Sequence, residues 1–136
     1  MGRKTLVAQV VLPLYVHTTK SHTTKGKVIF NLNNYRNMFH TKSNNAKKEM
    51  KRIIKNMNIP FLGIGPFEME YTYYHGNFRV MDLNNTVSVI DKFTCDAITE
   101  LQLWPDDNYN YVKKVTSIWG GVDPGNGRCE LKIYRI

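Results

Sequence analysis

The chain has 136 residues, of which 42% are hydrophobic and 12% aromatic, a composition that excludes intrinsic disorder and fits a single domain over residues 1–136. Its formal net charge of +8 favours a polyanionic partner. No apolar run reaches the roughly 18 residues of a membrane span, and the opening apolar stretch is short for a signal peptide. We therefore expect a soluble cytoplasmic protein with no membrane partner.

The first segments are predicted to form a strand and a polar loop. Residues 5–16 are rich in β-branched side chains, and Pro13 marks an edge or a bend near the end of this strand. Residues 17–27 (HTTKSHTTKGK) follow as a loop, or as the tip of a hairpin that leads into KVIFNL. His17 and His22 in this segment invite a metal interpretation, but solvated or phosphate-contacting side chains are the favoured one.

Residues 44–57 are predicted to form a basic helix that ends at Asn58 and Pro60. Its apolar side chains recur at three- and four-residue steps: Ala46, Met50, Ile53, Ile54 and Met57. The other face carries Lys47, Lys48, Lys51, Arg52 and Lys55. This face either contacts nucleic-acid phosphates or only solubilises the helix. The apolar face lacks the Trp or Phe of an interfacial helix, so nucleic acid is favoured over a membrane.

A strand is predicted at residues 67–75 (FEMEYTYYH), where Tyr71, Tyr73 and Tyr74 either stack on bases or, as favoured, pack in a sheet. A helix follows over residues 86–101, with Asn84 or Asn85 as its N-cap and Asp82 just ahead of it. Its buried face is formed by Val87, Ile90, Phe93, Ala97, Ile98 and Leu101.

The C-terminal part is predicted to contain a turn and two strands. The turn spans residues 101–110, and the strands, 111–121 and 128–136, are joined by a hairpin turn at 122–127 (VDPGNG). The order of elements indicates an α+β domain: a mixed sheet of about four to five strands with two main helices packed on it. Cys95 and Cys129 lack CxxC spacing, so we expect reduced structural thiols rather than a zinc site.

Acidic residues concentrate in a 26-residue window that begins at Asp82 and ends at Asp107. It contains six of the chain's eleven carboxylates and one basic residue, Lys92, so its net charge is −5 and that of the other 110 residues is +13. Basic surroundings attract a polyanion, whereas clustered carboxylates repel it unless a divalent cation lies between them. The window is either a metal-dependent nuclease site or an acidic, solvated helix.

A magnesium site needs two or three carboxylates, because Mg²⁺ prefers oxygen ligands and keeps some of its waters. Asp82 and Asn84 alternate before the helix, and Asp107 follows it. A helix of about 16 residues is roughly 24 Å long, so Asp107 cannot meet Asp82 across the helix ends. Either the chain folds back along the helix or a second subunit supplies the partner.

Residues 82–115 (DLNNTVSVIDKFTCDAITELQLWPDDNYNYVKKV) resemble the RusA family of Holliday junction resolvases. That family's motifs are an Asp-x-Asp-Asn element, a helix carrying Lys and then Asp-Ala-Leu, and a later Asp-Asp. The segments NNYRNMF, KKEMKRIIKNM and GNGRCELKIYRI extend the likeness over nearly the whole chain. The resemblance implies a RusA-like fold and a homodimer that nicks four-way DNA junctions in pairs with Mg²⁺, in a bacterial or phage-infected cell.

Residue by residue, the resemblance assigns Asp82 as the first metal ligand, Lys92 as the helix lysine and Asp107 as the second Asp of the post-helix pair. Asp96 matches the Asp of Asp-Ala-Leu, and we include it among the metal ligands. The second Asp of the Asp-x-Asp-Asn element is Asn84 here, which still offers its amide oxygen as a metal ligand. It removes one negative charge, which should weaken Mg²⁺ binding or shift the preference toward Mn²⁺. The lysine also lies about four residues, or one helical turn, later than in the family. Residues that can compensate are Asp91, Asp96 and Asp106.

Two other functions fit the sequence. A basic nucleic-acid-binding protein without catalysis predicts salt-sensitive binding and no strand scission. A flap or nonspecific nuclease on the same scaffold predicts cleavage of linear or single-stranded DNA as readily as junctions. No small-molecule cofactor is expected in any of these.

Overall fold

A computed structural model describes residues 3–18 and 26–136. The strands in these residues are β1 (Thr5–Leu12), β2 (Tyr15–His17), β3 (Lys27–Ile29), β4 (Phe67–His75), β5 (Val112–Val122) and β6 (Arg128–Arg135). The helices are α1 (Leu32–Arg36), α2 (His40–Asn56) and α3 (Leu83–Glu100). The predicted α+β class with two main helices is therefore confirmed.

The main sheet has four strands in the order β1-β6-β4-β5. Strand β4 pairs antiparallel with β6 and parallel with β5, so the sheet is mixed, as predicted. Strands β2 and β3 form a separate antiparallel ribbon, and the break between β1 and β2 falls at Pro13. The predicted loop at 17–27, including His22, lies largely outside the described residues.

The prediction of a hairpin turn at residues 122–127 is wrong. Strands β5 and β6 are not neighbours, because β4 lies between them. The connection instead crosses the end of β4, where the Asp123 amide donates to the His75 carbonyl at 2.8 Å and the Gly125 amide to the Gly76 carbonyl at 3.0 Å. Turn residues such as Pro124 and Gly125 specify a chain reversal but not the strand that receives the chain.

The core lies between the helices and one face of the sheet. Inward side chains of β4 and β6 alternate with outward ones, as a half-buried sheet requires. The largest buried side chains include Phe67, Met69, Tyr71, Ile90, Phe93, Ile98 and Trp104. Helix α2 adds Ala46, Met50 and Ile54, three positions of its predicted apolar face.

Two helix starts differ from their predicted positions. Helix α2 begins at His40 rather than residue 44, and α3 begins at Leu83 rather than residue 86. The N-cap of α3 is Asp82, whose carboxylate accepts from the Asn84 amide at 3.1 Å, not Asn84 or Asn85. The Asn85 side chain instead accepts from the Leu32 amide at 3.2 Å, at the start of the short α1 that the sequence did not predict.

Candidate active site

Helix α3 carries most of the predicted site residues. Because one face of this helix is buried, the position of each residue around the helix sets the direction of its side chain. Asp82 and Asn84 lie exposed at its N-terminus. The Asp82 carboxylate caps the helix and also interacts favourably with the positive end of the helix dipole. This capping contact is a sufficient structural role for Asp82.

The segment after α3 folds back along the helix, as a site containing Asp107 requires. Trp104 anchors it: the ring is 2% exposed, its Nε1 donates to Thr99 Oγ1 at 2.7 Å, and it packs on Phe67 at a centroid distance of 5.5 Å. The Leu103 carbonyl also accepts from the Leu62 amide at 2.8 Å. The segment between the end of α3 and Asp107 is short, so Asp107 lies beside the C-terminal half of the helix.

Three carboxylates lie along the middle and C-terminal part of α3, and two of them, Asp91 and Asp107, act on the buried Cys95. Burial, the hydrogen bond with Asp106 and the charge of Asp96 raise the pKa of the Asp107 carboxyl. Burial first, and then the neighbouring charges of Asp91 and Asp107, raise the pKa of the Cys95 thiol. Asp91, Asp96 and Asp107 are therefore close enough to interact electrostatically with this region, which we call the mid-helix cluster.

Asp91 is the most firmly positioned member of the mid-helix cluster. Its Oδ1 accepts a hydrogen bond from the buried Tyr71 hydroxyl and another from Cys95 Sγ at 3.2 Å. The sequence treated Asp91 only as a residue that can compensate for Asn84. The sequence shows that Asp91 and Cys95 are four residues apart and so are neighbours on one helix face. The contact with Tyr71 depends instead on how α3 packs across β4, which the sequence does not show.

The structure does not bring Asp82 and Asp107 together within one chain. Asp82 precedes Asp96 by 14 positions of continuous helix, about 21 Å along its axis. Since Asp107 lies near Asp96, the set Asp82, Asn84 and Asp107 is not assembled as the resemblance implies. Within residues 3–18 and 26–136, no group of three or more His, Cys, Asp or Glu side chains is arranged as metal ligands.

Lys92 and Asp96 lie on the outer side of α3. Lys92 Nζ is 4.0 Å from Asp96 Oδ2, and Lys47 Nζ of α2 approaches the same oxygen at 4.0 Å. The i,i+4 ion pair is half exposed, so it contributes little to stability. Lys92 therefore stays largely accessible to solvent.

Asp106 has a turn role. Its carboxylate accepts from the Asp107 amide at 2.8 Å and from Asn108 Nδ2 at 2.9 Å, and these bonds lower its pKa. The tyrosines of β4 pack in the sheet: Tyr71 and Tyr73 are buried, and the Tyr74 ring lies under the Arg128 guanidinium at 4.1 Å.

The basic face of α2 divides into two parts. Lys47 and Lys51 turn toward α3 and pair with Asp96 and Glu100, the latter at 3.6 Å, while Arg52 pairs with Glu49 in its own helix. Lys48 and Lys55 are exposed and have no ion pair within the part of the chain that the structure describes. The five predicted phosphate contacts are therefore not equivalent.

If the basic face of α2 binds DNA, as the charge of the chain predicts, replacing Lys48 or Lys55 with alanine should weaken duplex binding more than replacing Lys51. Each removes an unpaired ammonium, so the slope of log affinity against log salt should fall by about 0.9 for each lost phosphate contact. Titrations of labelled DNA at several salt concentrations measure both effects. Equal losses for all three variants would contradict the division of this face.

Both thiols are expected to be unreactive in the native protein. Burial, helped by the charges of Glu130 and Asp91, raises the pKa of Cys129 to about 12, and Cys95 is also raised well above its usual range. At pH 8 a thiol of pKa 12 is ionised to only about one part in ten thousand. Titration with a chromogenic disulfide should therefore count no thiols before denaturation and two after it. Rapid labelling of either cysteine in the folded protein would contradict this.

Neither protein-family models nor curated proteins match this chain. The resemblance of residues 82–115 to RusA resolvases therefore depends on its motifs alone. Within the described residues, no helix combines the length and apolar character needed to cross a membrane.

Proposed function

We propose that this protein is a divalent-metal-dependent endonuclease that cuts branched DNA, in the manner of the RusA resolvases that it resembles. The observation that carries the proposal is the return of Asp107 to the carboxylates of α3. Burial first, and then the hydrogen bond with Asp106 and the charges of Asp106 and Asp96, raise the pKa of Asp107, and a nearby cation would offset both the burial and the repulsion. The strongly basic remainder of the chain supports a polyanionic substrate.

We assign the metal-ligand role to Asp107 with Asp91 or Asp96, rather than to Asp82 and Asn84. These carboxylates are not arranged as a ligand set in the described residues, so a bound Mg²⁺ or Mn²⁺ would have to draw their side chains together. Their carboxylate oxygens match the ligand preference of both ions. Such an ion, when bound, polarises the scissile phosphate and lowers the pKa of an attacking water. Lys92 neutralises charge on the phosphate or on the leaving oxygen.

Resolution of a four-way junction requires two cuts in strands of like polarity, so the proposal includes a homodimer with one mid-helix cluster in each subunit. Asp82 and Asn84 then serve α3 as capping residues, or a second copy presents them to the cluster. The corresponding setting is the cytoplasm of a bacterial or phage-infected cell.

A second candidate is a nucleic-acid-binding protein without catalysis. It is favoured by the distance of about 21 Å along α3 between Asp82 and the region of Asp107. In this alternative the carboxylates only form a water-exposed face of the helix and cap its N-terminus. The exposed lysines of α2 would still bind DNA in a salt-sensitive way.

The substrate class is tested by offering the native protein equal concentrations of a four-way junction, a flap, a linear duplex and a single strand with Mg²⁺. Preferred cutting of the junction is expected. Equal cutting of all four would indicate a broader nuclease, and binding without cutting would favour the second candidate.

A further inference from the structure

A cavity of about 410 Å³ opens beside the N-terminal turns of α3, between the β2–β3 ribbon and the end of β4. Its volume lies in the range of small-molecule sites. Apolar walls come from Tyr15, Phe30 and Met81, while His75, Asn77 and Thr86 supply polar groups. The cavity therefore combines flat, apolar surface with a few hydrogen-bonding groups.

His75 lines this cavity and carries an unsatisfied polar atom. Its Nδ1 lies 3.0 Å from the Tyr73 hydroxyl, which orients the ring. The other nitrogen, Nε2, is buried and finds no hydrogen-bond partner among the described residues. Leaving a buried polar atom unpaired is costly, so a bound group that pairs with Nε2 gains what the protein alone lacks.

A second cavity of about 360 Å³ adjoins the first, and Lys27 lines both. Lys42 and the amide side chains of Asn34 and Asn37 also line this second cavity. The Lys27 ammonium lies over the Tyr15 ring at 4.1 Å, so the aromatic wall of one cavity meets the cationic wall of the other. A nucleotide has a flat base that forms hydrogen bonds and an anionic phosphate next to it. An apolar recess with hydrogen-bonding groups, beside two cations, is complementary to such a ligand.

We infer that the two cavities together bind one unpaired nucleotide of a nucleic-acid strand. The base enters the first cavity, where a movement of the His75 ring lets Nε2 pair with it, and the adjacent phosphate lies between Lys27 and Lys42. Thr86 precedes Asp91 by five helical positions, about 7.5 Å along α3. The bound nucleotide is thus about one and a half helical turns along α3 from the mid-helix cluster. This inference depends on the nucleic-acid binding of the proposed function, but not on its cleavage.

The test uses the native protein in EDTA and four labelled DNA tetranucleotides, each containing a single kind of base: dA, dC, dG or dT. Long-range nitrogen NMR of the His75 imidazole should show saturable shifts with at least one tetranucleotide and none with inorganic phosphate. His75→Phe keeps an aromatic ring but loses the nitrogens, so affinity for the preferred base should fall about tenfold. Lys42→Ala should lower the affinity for all four tetranucleotides by a similar factor. Lys132→Ala, on the opposite face of the sheet, is the control and should change nothing.

Unchanged His75 resonances in the native protein would overturn the inference without requiring any variant. Equal affinities for His75→Phe and Lys132→Ala would also overturn it. Because EDTA prevents metal-dependent cleavage, the two proposals fail separately. A protein that cuts junctions but shows no His75 shift loses only the nucleotide site, and one that shows the shift but never cuts loses only the nuclease.

Discussion

Asp107→Asn is expected to reduce junction cleavage more than a hundredfold while leaving DNA binding intact. The substitution preserves shape but removes the carboxylate that folds back to α3, and loss of one such electrostatic group costs about 10² to 10³ in kcat. Because the native environment raises the pKa of Asp107, ionisation of this carboxyl is less favourable in the folded state than in the unfolded chain. Folding stability at neutral pH should therefore be unchanged or higher in the variant.

Two neighbouring variants serve as controls for this result. Asp106→Asn alters a turn residue, so it should retain most activity. Asp82→Asn should also retain activity, since asparagine caps a helix as well as aspartate does. Single-turnover cleavage and electrophoretic binding of the same labelled junction measure all three. Full activity in Asp107→Asn would remove the mid-helix cluster from the reaction, and loss in Asp82→Asn would require Asp82 of a second copy in the site.

Trp104→Ala is expected to destabilise the protein by about 3–5 kcal/mol, the usual cost of removing a large buried aromatic side chain. The variant loses the contact with Phe67 and leaves the Thr99 hydroxyl without its indole partner. The same indole anchors the segment that returns Asp107 to α3. Cleavage should therefore fall with stability.

Trp119→Ala provides the matched control, because this tryptophan is 48% exposed on the edge strand β5. It should cost far less stability than Trp104→Ala. Denaturant unfolding followed by circular dichroism gives both free energies. Similar losses for the two variants would contradict the anchoring role of Trp104.

The sequence predicted the elements of this fold better than their arrangement. The alternation of β4 and the buried face of α3 are local patterns, and both were recognisable. The neighbouring strands of β6 are not recognisable from the sequence, because a turn such as 122–127 permits either a hairpin or a crossing over β4. The N-cap of α3 was misplaced because Asp82, Asn84 and Asn85 are all good capping residues, and only the contact of Asn85 with α1 distinguishes them.

The candidate site shows the same limit. Chain order placed Asp82, Lys92 and Asp107 in one acidic window, but it gave no information on how far the chain after α3 returns. That distance depends on Trp104, which packs on Phe67 from a strand 37 positions earlier. Asp91 gains its importance from Tyr71, 20 positions earlier, and no local pattern links the two.

Cleavage of a labelled four-way junction by the native protein, with Mg²⁺ and then with EDTA, decides whether this protein is a metal-dependent nuclease. Paired, symmetric nicks that appear with Mg²⁺ and disappear with EDTA are the predicted result. Tight binding of the junction without nicks, in Mg²⁺ and also in Mn²⁺, would contradict it and would identify a protein that holds DNA without cutting it.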